Sequence, residues 1–470
     1  MAYISRNPYN NEVMAEFDTL TNEELEAKVV KAQEAFKSWK NTSFEERAKI
    51  LHKAANLIRE RTQEFAELNT KETGKILSVA LMENNMCADI FDYNADHGAE
   101  FLKPHFLETG DEMAGNAVGI YQPLGIVYEI EPWNVPFFQM TRPTAAQLMA
   151  GNVVVLKLSS NCPQSALAFE KLMHDAGVPD GVYQNLFVNY DQSDALLADP
   201  RLAGVTITGS TNVGREVASK ASHALKKNVM ELGGSDAMVV MPDADMQTTV
   251  QGAIMGRLTN SGQVCLSDKR MFVHESLYDT FLQAVTQAAN GLVAGDPLDP
   301  DTTYGPLSSK KAADKVRAQI AKAVKFGATA TQVGPDVPED STWVPVTILT
   351  DVTEDNPIAQ EEIFGPVLMV FSWKNENEMI NLANGTEFGL GGSVYTQNPD
   401  TAARIAAKLE TGAISINQPT MASKAIPFGG IKSSGYGREM GYSGIREFTN
   451  EKFINSALIN MNKVFDEFKK

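Results

Sequence analysis

In the N-terminal part of the chain, apolar positions recur at three- and four-residue steps: Leu25, Val29, Ala32, Phe36 and Trp39, then Ile50, Ala54 and Ile58. That spacing gathers them on one stripe of a helix and predicts amphipathic packing helices. From about residue 125 the pattern becomes short apolar runs separated by helical segments, beginning with Gly125–Ile130 and Asn152–Lys157, which read as buried strands. A helix opens at Pro163 and stops at Gly177; an apolar run at Tyr183–Val188, a short helix Asp191–Ala198, a strand Gly204–Ile207, a helix from Asn212 and a strand Val229–Leu232 follow. Strand–helix alternation of this kind predicts a doubly wound parallel sheet, with ligands at the carboxyl ends of its strands. The alternation resumes beyond Gly233 with Met238–Met241, Met271–Val273 and Val367–Phe371, so a second α/β domain is expected, its boundary near Gly233-Gly234. The polar, proline-bearing segment Pro335–Thr342 reads as a surface loop. In the last thirty residues Phe448, Phe453, Ile454, Ala457 and Leu458 belong to no independent core and suggest an arm that packs on another subunit.

Composition narrows the function. A length of 470 residues is enough for several domains, and 43% hydrophobic residues with 22 Phe can fill their cores. The formal net charge of −18 repels phosphate backbones and anionic membranes, arguing against a nucleic-acid or membrane-surface partner. No apolar stretch approaches the roughly 18 residues needed to span a bilayer, and MAYISRNPYNNE has no basic region followed by an apolar one. The three scattered cysteines, Cys87, Cys162 and Cys265, suit a reducing cytosol better than a disulfide framework, so a cytoplasmic location is expected. No metal is expected.

Several segments could carry chemistry. Asn260-Ser261-Gly262-Gln263-Val264-Cys265 places a cysteine just past a predicted helix, beside a glycine that permits close backbone approach; a nucleophilic thiol fits there. A buried structural cysteine fits as well, and composition alone favours it. Glu231, at a strand end before Gly233-Gly234, could be a general base in an apolar site, or an ordinary ion-pair partner. In Glu131-Pro132-Trp133-Asn134-Val135-Pro136 two prolines bracket an asparagine and fix an amide donor in a rigid turn. Thr208-Gly209-Ser210-Thr211-Asn212-Val213-Gly214 follows a strand and opens a helix, offering N–H groups to a pyrophosphate, although it lacks the G-x-G-x-x-G spacing. Glu361–Pro366 and Pro427–Glu439 are two further glycine-bearing loops.

Taken together and in this order, these segments resemble the aldehyde dehydrogenase superfamily over essentially the whole chain. The resemblance implies two doubly wound α/β domains plus a β-arm: an NAD(P)-binding domain at 1–104 and 124–232, an oligomerisation arm at 105–123 and 441–470, and a catalytic domain at 233–440. The arm would build a homodimer or homotetramer. By resemblance, Cys265 is the nucleophile that forms a thiohemiacetal and then a thioester, Asn134 the oxyanion donor, and Glu231 the base that activates water. The presence of Glu231 argues against the CoA-acylating branch. The cofactor set carried over is Trp133 and Ser210 at the pyrophosphate, Gly209 and Gly214 in its loop, Lys157 at the adenosine ribose, and Glu362 and Phe364 at the nicotinamide ribose and ring.

Two positions depart from the family pattern. Many NAD-preferring members carry a glutamate where this chain has Ser160, in Lys157-Leu158-Ser159-Ser160. A carboxylate there would repel a 2′-phosphate, whereas Ser160 beside Lys157 can donate to one, so NADP is expected to be accepted and preferred over NAD. The motifs are most similar to those of short bacterial succinate-semialdehyde dehydrogenases, in which an arginine at the Arg142 position lies near the aldehyde tunnel; it could pair with the far carboxylate of the substrate, or be a structural ion pair. Ser423 is a further candidate at the tunnel mouth. The second departure, Asp268, stands where that group carries a small neutral residue, and would repel an anion if it faced the tunnel. Oxidation of a small aldehyde, succinate semialdehyde foremost, is the expected activity. The alternatives are neutral aliphatic or aromatic aldehydes, or a non-catalytic protein of the same fold.

Overall fold

The computed structural model describes residues 3–469, and its architecture follows from two parallel-rich sheets that meet along a cleft. The first sheet runs Gly435–Tyr436, Lys227–Glu231, Leu202–Thr208, Ile126–Glu131, Val153–Leu158, Tyr183–Asn185. All its pairings are parallel except the short strand Gly435–Tyr436, which lies antiparallel to Lys227–Glu231. The chain enters at Ile126–Glu131, winds outward through Val153–Leu158 to Tyr183–Asn185, then returns to lay Leu202–Thr208 on the other side of its starting strand. A topological switch point therefore opens between the carboxyl ends of Ile126–Glu131 and Leu202–Thr208, the place where an open α/β sheet accepts a ligand. Trp133-Asn134 and Gly209-Ser210 leave the sheet at those two ends.

The helices follow local signals. Asn22–Trp39 and Phe44–Glu60 each begin with a capping box, Thr21 with Glu24 and Ser43 with Glu46. Pro163–Ala176 starts on its proline and ends at Gly177 with φ of 99°, a left-handed cap that glycine supplies without strain. Pro136–Ala150 is buried along nearly its whole length, against the first sheet and against Leu77–Phe101, which is why it lacks a polar stripe.

The second sheet runs Thr329–Val333, Val346–Thr350, Val367–Trp373, Asp268–His274, Asp236–Val240, Gly392–Tyr395, Ser415–Ile416, antiparallel only at its first pair. Separate apolar clusters cover its two faces, with Met271, Val273, Phe281 and Val285 in one and Phe272, Val239, Met379 and Ile405 in another. His105–Leu107, Asn116–Pro123 and Thr449–Ser456 form a third, antiparallel sheet that joins parts of the segments 105–123 and 441–470, while Ile445 and Phe448 pack with residues of the first sheet. Leu458 and Ile459 beyond it are exposed.

Two features depart from the sequence reading. Residues 435–436 return to the first sheet, so the stretch 233–440 is not all in the second unit; a two-residue strand carries no periodicity to announce this. Tyr3–Arg6 and Val13–Phe17 form an N-terminal hairpin that the sequence does not announce, because apolar and polar residues do not alternate in them: the buried positions of the first strand are Tyr3 and Ser5, with Ile4 between them.

Candidate active site

Cys265 lies in a tightly braced loop. After the helix Met246–Leu258 the backbone passes through Asn260, Ser261 and Gly262 with φ of 52°, 51° and 77°. Two consecutive non-glycine residues in the left-handed region are costly and persist only where the surroundings hold them. The Asn260 side chain donates to the Asn134 carbonyl at 2.9 Å, and Ser261 Oγ to the Gly305 carbonyl at 2.7 Å. A Cβ on Gly262 would lie 2.2 Å from the Gly365 carbonyl oxygen, so this position admits no side chain. Arg257, fully buried, donates to the carbonyls of Val367 at 2.6 Å, Ile363 at 2.8 Å and Gly262 at 3.2 Å, and to Ser267 Oγ at 2.7 Å.

Asn134 is fixed from three directions. Its Nδ2 donates to the Gln263 carbonyl at 3.0 Å, Gln139 Nε2 donates to its Oδ1 at 3.1 Å, and its carbonyl holds Asn260. One Nδ2 hydrogen remains for the cavity of about 170 Å³ that Asn134 and Cys265 line together. The remaining wall is mostly apolar, with Met82, Met86, Phe138, Val264, Leu266, Met421 and Phe428, but it also carries Glu83, Gln139 and Arg142. Burial pushes the Cys265 thiol up to about 11; Arg142 and Lys269 pull it back down, while Glu362 and Asp236 add to the rise.

Arg142 is both cavity wall and structural pair. Its Nε is ion-paired with Glu439, its Nη2 donates to Thr208 Oγ1 at 2.6 Å, and its guanidinium lies 4.4 Å from the centre of the Phe428 ring. Nη1 has no protein partner among the described residues. Glu439 also accepts from Thr206 Oγ1 at 2.5 Å. Glu131 and Glu231 both face the same guanidinium, so one arginine balances three buried carboxyls.

Glu231 closes its strand, fully buried, with neither oxygen hydrogen-bonded within the described residues. Burial holds its carboxyl well above the ordinary range, with Arg142 opposing. It does not line the Cys265 cavity: its Oε1 lies 2.7 Å from where a Cβ of Gly429 would stand, behind Phe428. Ser423 is also off the wall, one residue beyond the lining segment Thr420–Ala422.

Asp268 does not line the cavity; it lies behind the wall residue Gly256, where a Cβ would stand 2.7 Å from its Oδ2. Wholly buried at the start of its strand, it accepts from Ser393 Oγ at 3.1 Å and neighbours Asp236 across the sheet. Burial, then Asp236, raises it to about 7. The folded protein therefore holds a proton here that the unfolded chain releases near pH 4, so this residue's contribution to stability is full at acid pH and falls as pH rises towards 7. Asp268→Asn is expected to gain stability above pH 7, by up to roughly 4 kcal/mol, and to gain nothing near pH 4. Urea unfolding across that range checks it.

The cofactor candidates gather at the switch point. Ser210 caps the helix Thr211–His223, accepting from the Val213 N–H at 3.5 Å, and the Gly209 N–H donates to the Glu231 carbonyl at 3.0 Å. At Gly214 a Cβ would lie 2.3 Å from Leu232 Cδ2, so any side chain there would displace Leu232. The Trp133 ring meets Phe364 edge-to-face at 5.9 Å. Lys157 is partly buried, 6.0 Å from the centres of the Tyr3 and Tyr190 rings, and burial alone, with no carboxylate opposing it, lowers its ammonium below the usual lysine range. A partly buried lysine with no ion-pair partner among the described residues, three residues before Ser160, fits a dinucleotide bearing a 2′-phosphate. Glu362 accepts from the Gly234 N–H at 3.1 Å. Sequence reasoning gave no role to Glu439, Arg257 or Lys269; Glu439 is 297 residues from Arg142, a separation that leaves no local trace.

This site, on this fold, is that of a cysteine-dependent aldehyde-oxidising enzyme, and residues 2–454 match the model of the aldehyde dehydrogenase family. The chain belongs to that family. It is 43% identical over 450 residues to the succinate-semialdehyde dehydrogenase [NADP(+)] of Deinococcus radiodurans, covering 96% of this chain and 94% of that one. It is also 41% identical to an aldehyde dehydrogenase of Paenarthrobacter nicotinovorans, over 97% of this chain and 99% of the other. Among solved structures, the succinic semialdehyde dehydrogenase of Streptococcus pyogenes in complex with NADP+ superposes with a TM-score of 0.93 at 41% identity, over 96% of this chain and 99% of that one.

Proposed function

We propose that this enzyme oxidises succinate semialdehyde to succinate with NADP. The observation that carries the substrate is Arg142, which borders the Cys265 cavity and whose buried Nη1 has no protein partner among the described residues. That N–H is itself inaccessible, and would donate to the far carboxylate of a semialdehyde once the guanidinium turns it towards the cavity. The removal of Asp268 from the wall takes away the one charge that spoke against an anion, and Glu83 is neutralised by its buried pair with Lys75. Cys265 would attack the aldehyde carbon, with the developing oxyanion held by Asn134 Nδ2 and the Cys265 N–H. NADP, held by Lys157, Ser160, Ser210 and Glu362, supplies the hydride acceptor. Glu231 would then take a proton from water as that water attacks the thioester.

The test compares kcat/KM for succinate semialdehyde and butanal, which differ by the carboxylate. A preference for the semialdehyde of at least about a hundredfold, of the size a buried charge-assisted contact gives, supports the proposal. The largely apolar wall favours the second reading, neutral aldehydes, and equal rates would establish it. Cofactor choice is tested separately. Ser160→Glu is expected to depress kcat/KM for NADP while leaving that for NAD within a few-fold; a parent enzyme that prefers NAD would overturn this part.

A further inference from the structure

Lys269 is the second residue of the strand Asp268–His274, four residues beyond the nucleophile, and its side chain is wholly inaccessible. Its ammonium donates to the Cys265 carbonyl at 2.8 Å and to the Val264 carbonyl at 3.0 Å. On its other side, Oε1 of Glu362 stands 3.5 Å away. The same oxygen accepts from the Gly234 N–H at 3.1 Å, and a Cβ on Gly234 would lie 2.8 Å from the Cys265 carbonyl oxygen. One buried cation thus ties together the nucleophile's backbone, the turn that follows Glu231, and the glutamate at the cofactor end.

A lysine this deeply buried is retained as a cation only if something is gained from its charge, because burying an ammonium beside neutral carbonyls is unfavourable. For packing alone a methionine would fill the same volume. We propose that Lys269 is a positioning residue for the dehydrogenase reaction: its ammonium locks the Cys265 backbone to the Glu362 carboxylate, holding the nucleophile and the nicotinamide end of the site in register. This rests on the reading of Glu362 as a cofactor residue given above.

The charges around the two groups define the test. Cys265 faces Arg142 and Lys269, which favour its thiolate, and Glu362 and Asp236, which oppose it. Lys269 faces Glu362, Asp236, Arg257 and Cys265, and lies beside Asp268. The rate of Cys265 alkylation by iodoacetamide is followed against pH, with neither cofactor nor aldehyde present, in the parent, Lys269→Met and Glu362→Gln proteins.

Lys269→Met is expected to move the midpoint up by about one pH unit, the low end of what a nearby opposite charge produces, and Glu362→Gln to move it down. Opposite shifts are what a merely structural role does not give. NADP binding, read by quenching of tryptophan fluorescence, is expected to weaken about tenfold in Lys269→Met as Glu362 loses its anchor. A midpoint unchanged in folded Lys269→Met, or shifts of the same sign in both variants, would overturn the proposal. Should Lys269→Met fail to fold, Glu362→Gln decides alone: no downward shift refutes it. Because alkylation needs no substrate, inactivity towards every aldehyde would count against the proposed function and leave this inference standing.

Discussion

Glu231→Gln is expected to leave one rapid turnover per active site and to suppress everything after it. Cys265, Asn134 and Arg142 are untouched in this variant, so thioester formation and its equivalent of NADPH appear as a burst; steady-state release then falls by about 10²–10⁴, the contribution of a positioned general base. Stopped-flow absorbance separates the two phases. In the parent enzyme the carboxyl is held well above the usual carboxylate range by burial, so its base form grows as pH rises and deacylation should accelerate from neutral to alkaline pH. The variant should lose that dependence. To meet a water beside Cys265 the side chain must turn away from Gly429, against which it rests. A variant that loses the burst along with the steady state would place Glu231 before the thioester and refute its assigned role.

The second large effect belongs to the carboxyl cluster around Arg142. Removing the guanidinium leaves Glu439, Glu131 and Glu231 buried without the cation they share, so Arg142→Met should destabilise the fold by about 3–5 kcal/mol. Glu439→Gln removes the carboxylate ion-paired with the arginine and leaves beside it Glu131 and Glu231, whose carboxyls burial holds well above the usual range. Its cost should therefore be clearly smaller, and the double variant should recover much of what Arg142→Met loses. Denaturant midpoints for the three proteins decide this; equal losses in the two single variants would mean that the pair stands apart from Glu131 and Glu231.

How much of this was legible in the sequence depends on the range of the signal. The helix Pro163–Ala176 and its cap at Gly177 are written locally, as are the strands before Pro132 and Gly209, so the switch point and the residues around it could be placed from apolar runs and turn chemistry. Cys265, Glu231 and Asn134 drew attention through their glycine and proline neighbours. Which way a side chain faces within a strand's first residues was not legible: Asp268 could have pointed into the cavity, and Ser393, 125 residues away, is what receives it instead. Arg142 posed the same problem: its Nε is ion-paired with Glu439, the structural reading, while its Nη1 has no protein partner among the described residues. Lys269 was passed over because a lysine near a nucleophile reads as solvated until its burial is known.

The two-residue return of Gly435–Tyr436 sets a limit on how this chain can be dissected. A fragment ending at Gly233 would strip the strand Lys227–Glu231 of its outer neighbour and leave a row of unpaired backbone groups at the sheet edge, beside a Phe448-lined apolar patch that is also supplied from the far end of the chain. Such an edge invites pairing with other copies. Anyone wishing to make the half built on the first sheet as an independent protein would need to graft the returning segment back by circular permutation, because the linear order of the gene does not coincide with the borders of its folded parts.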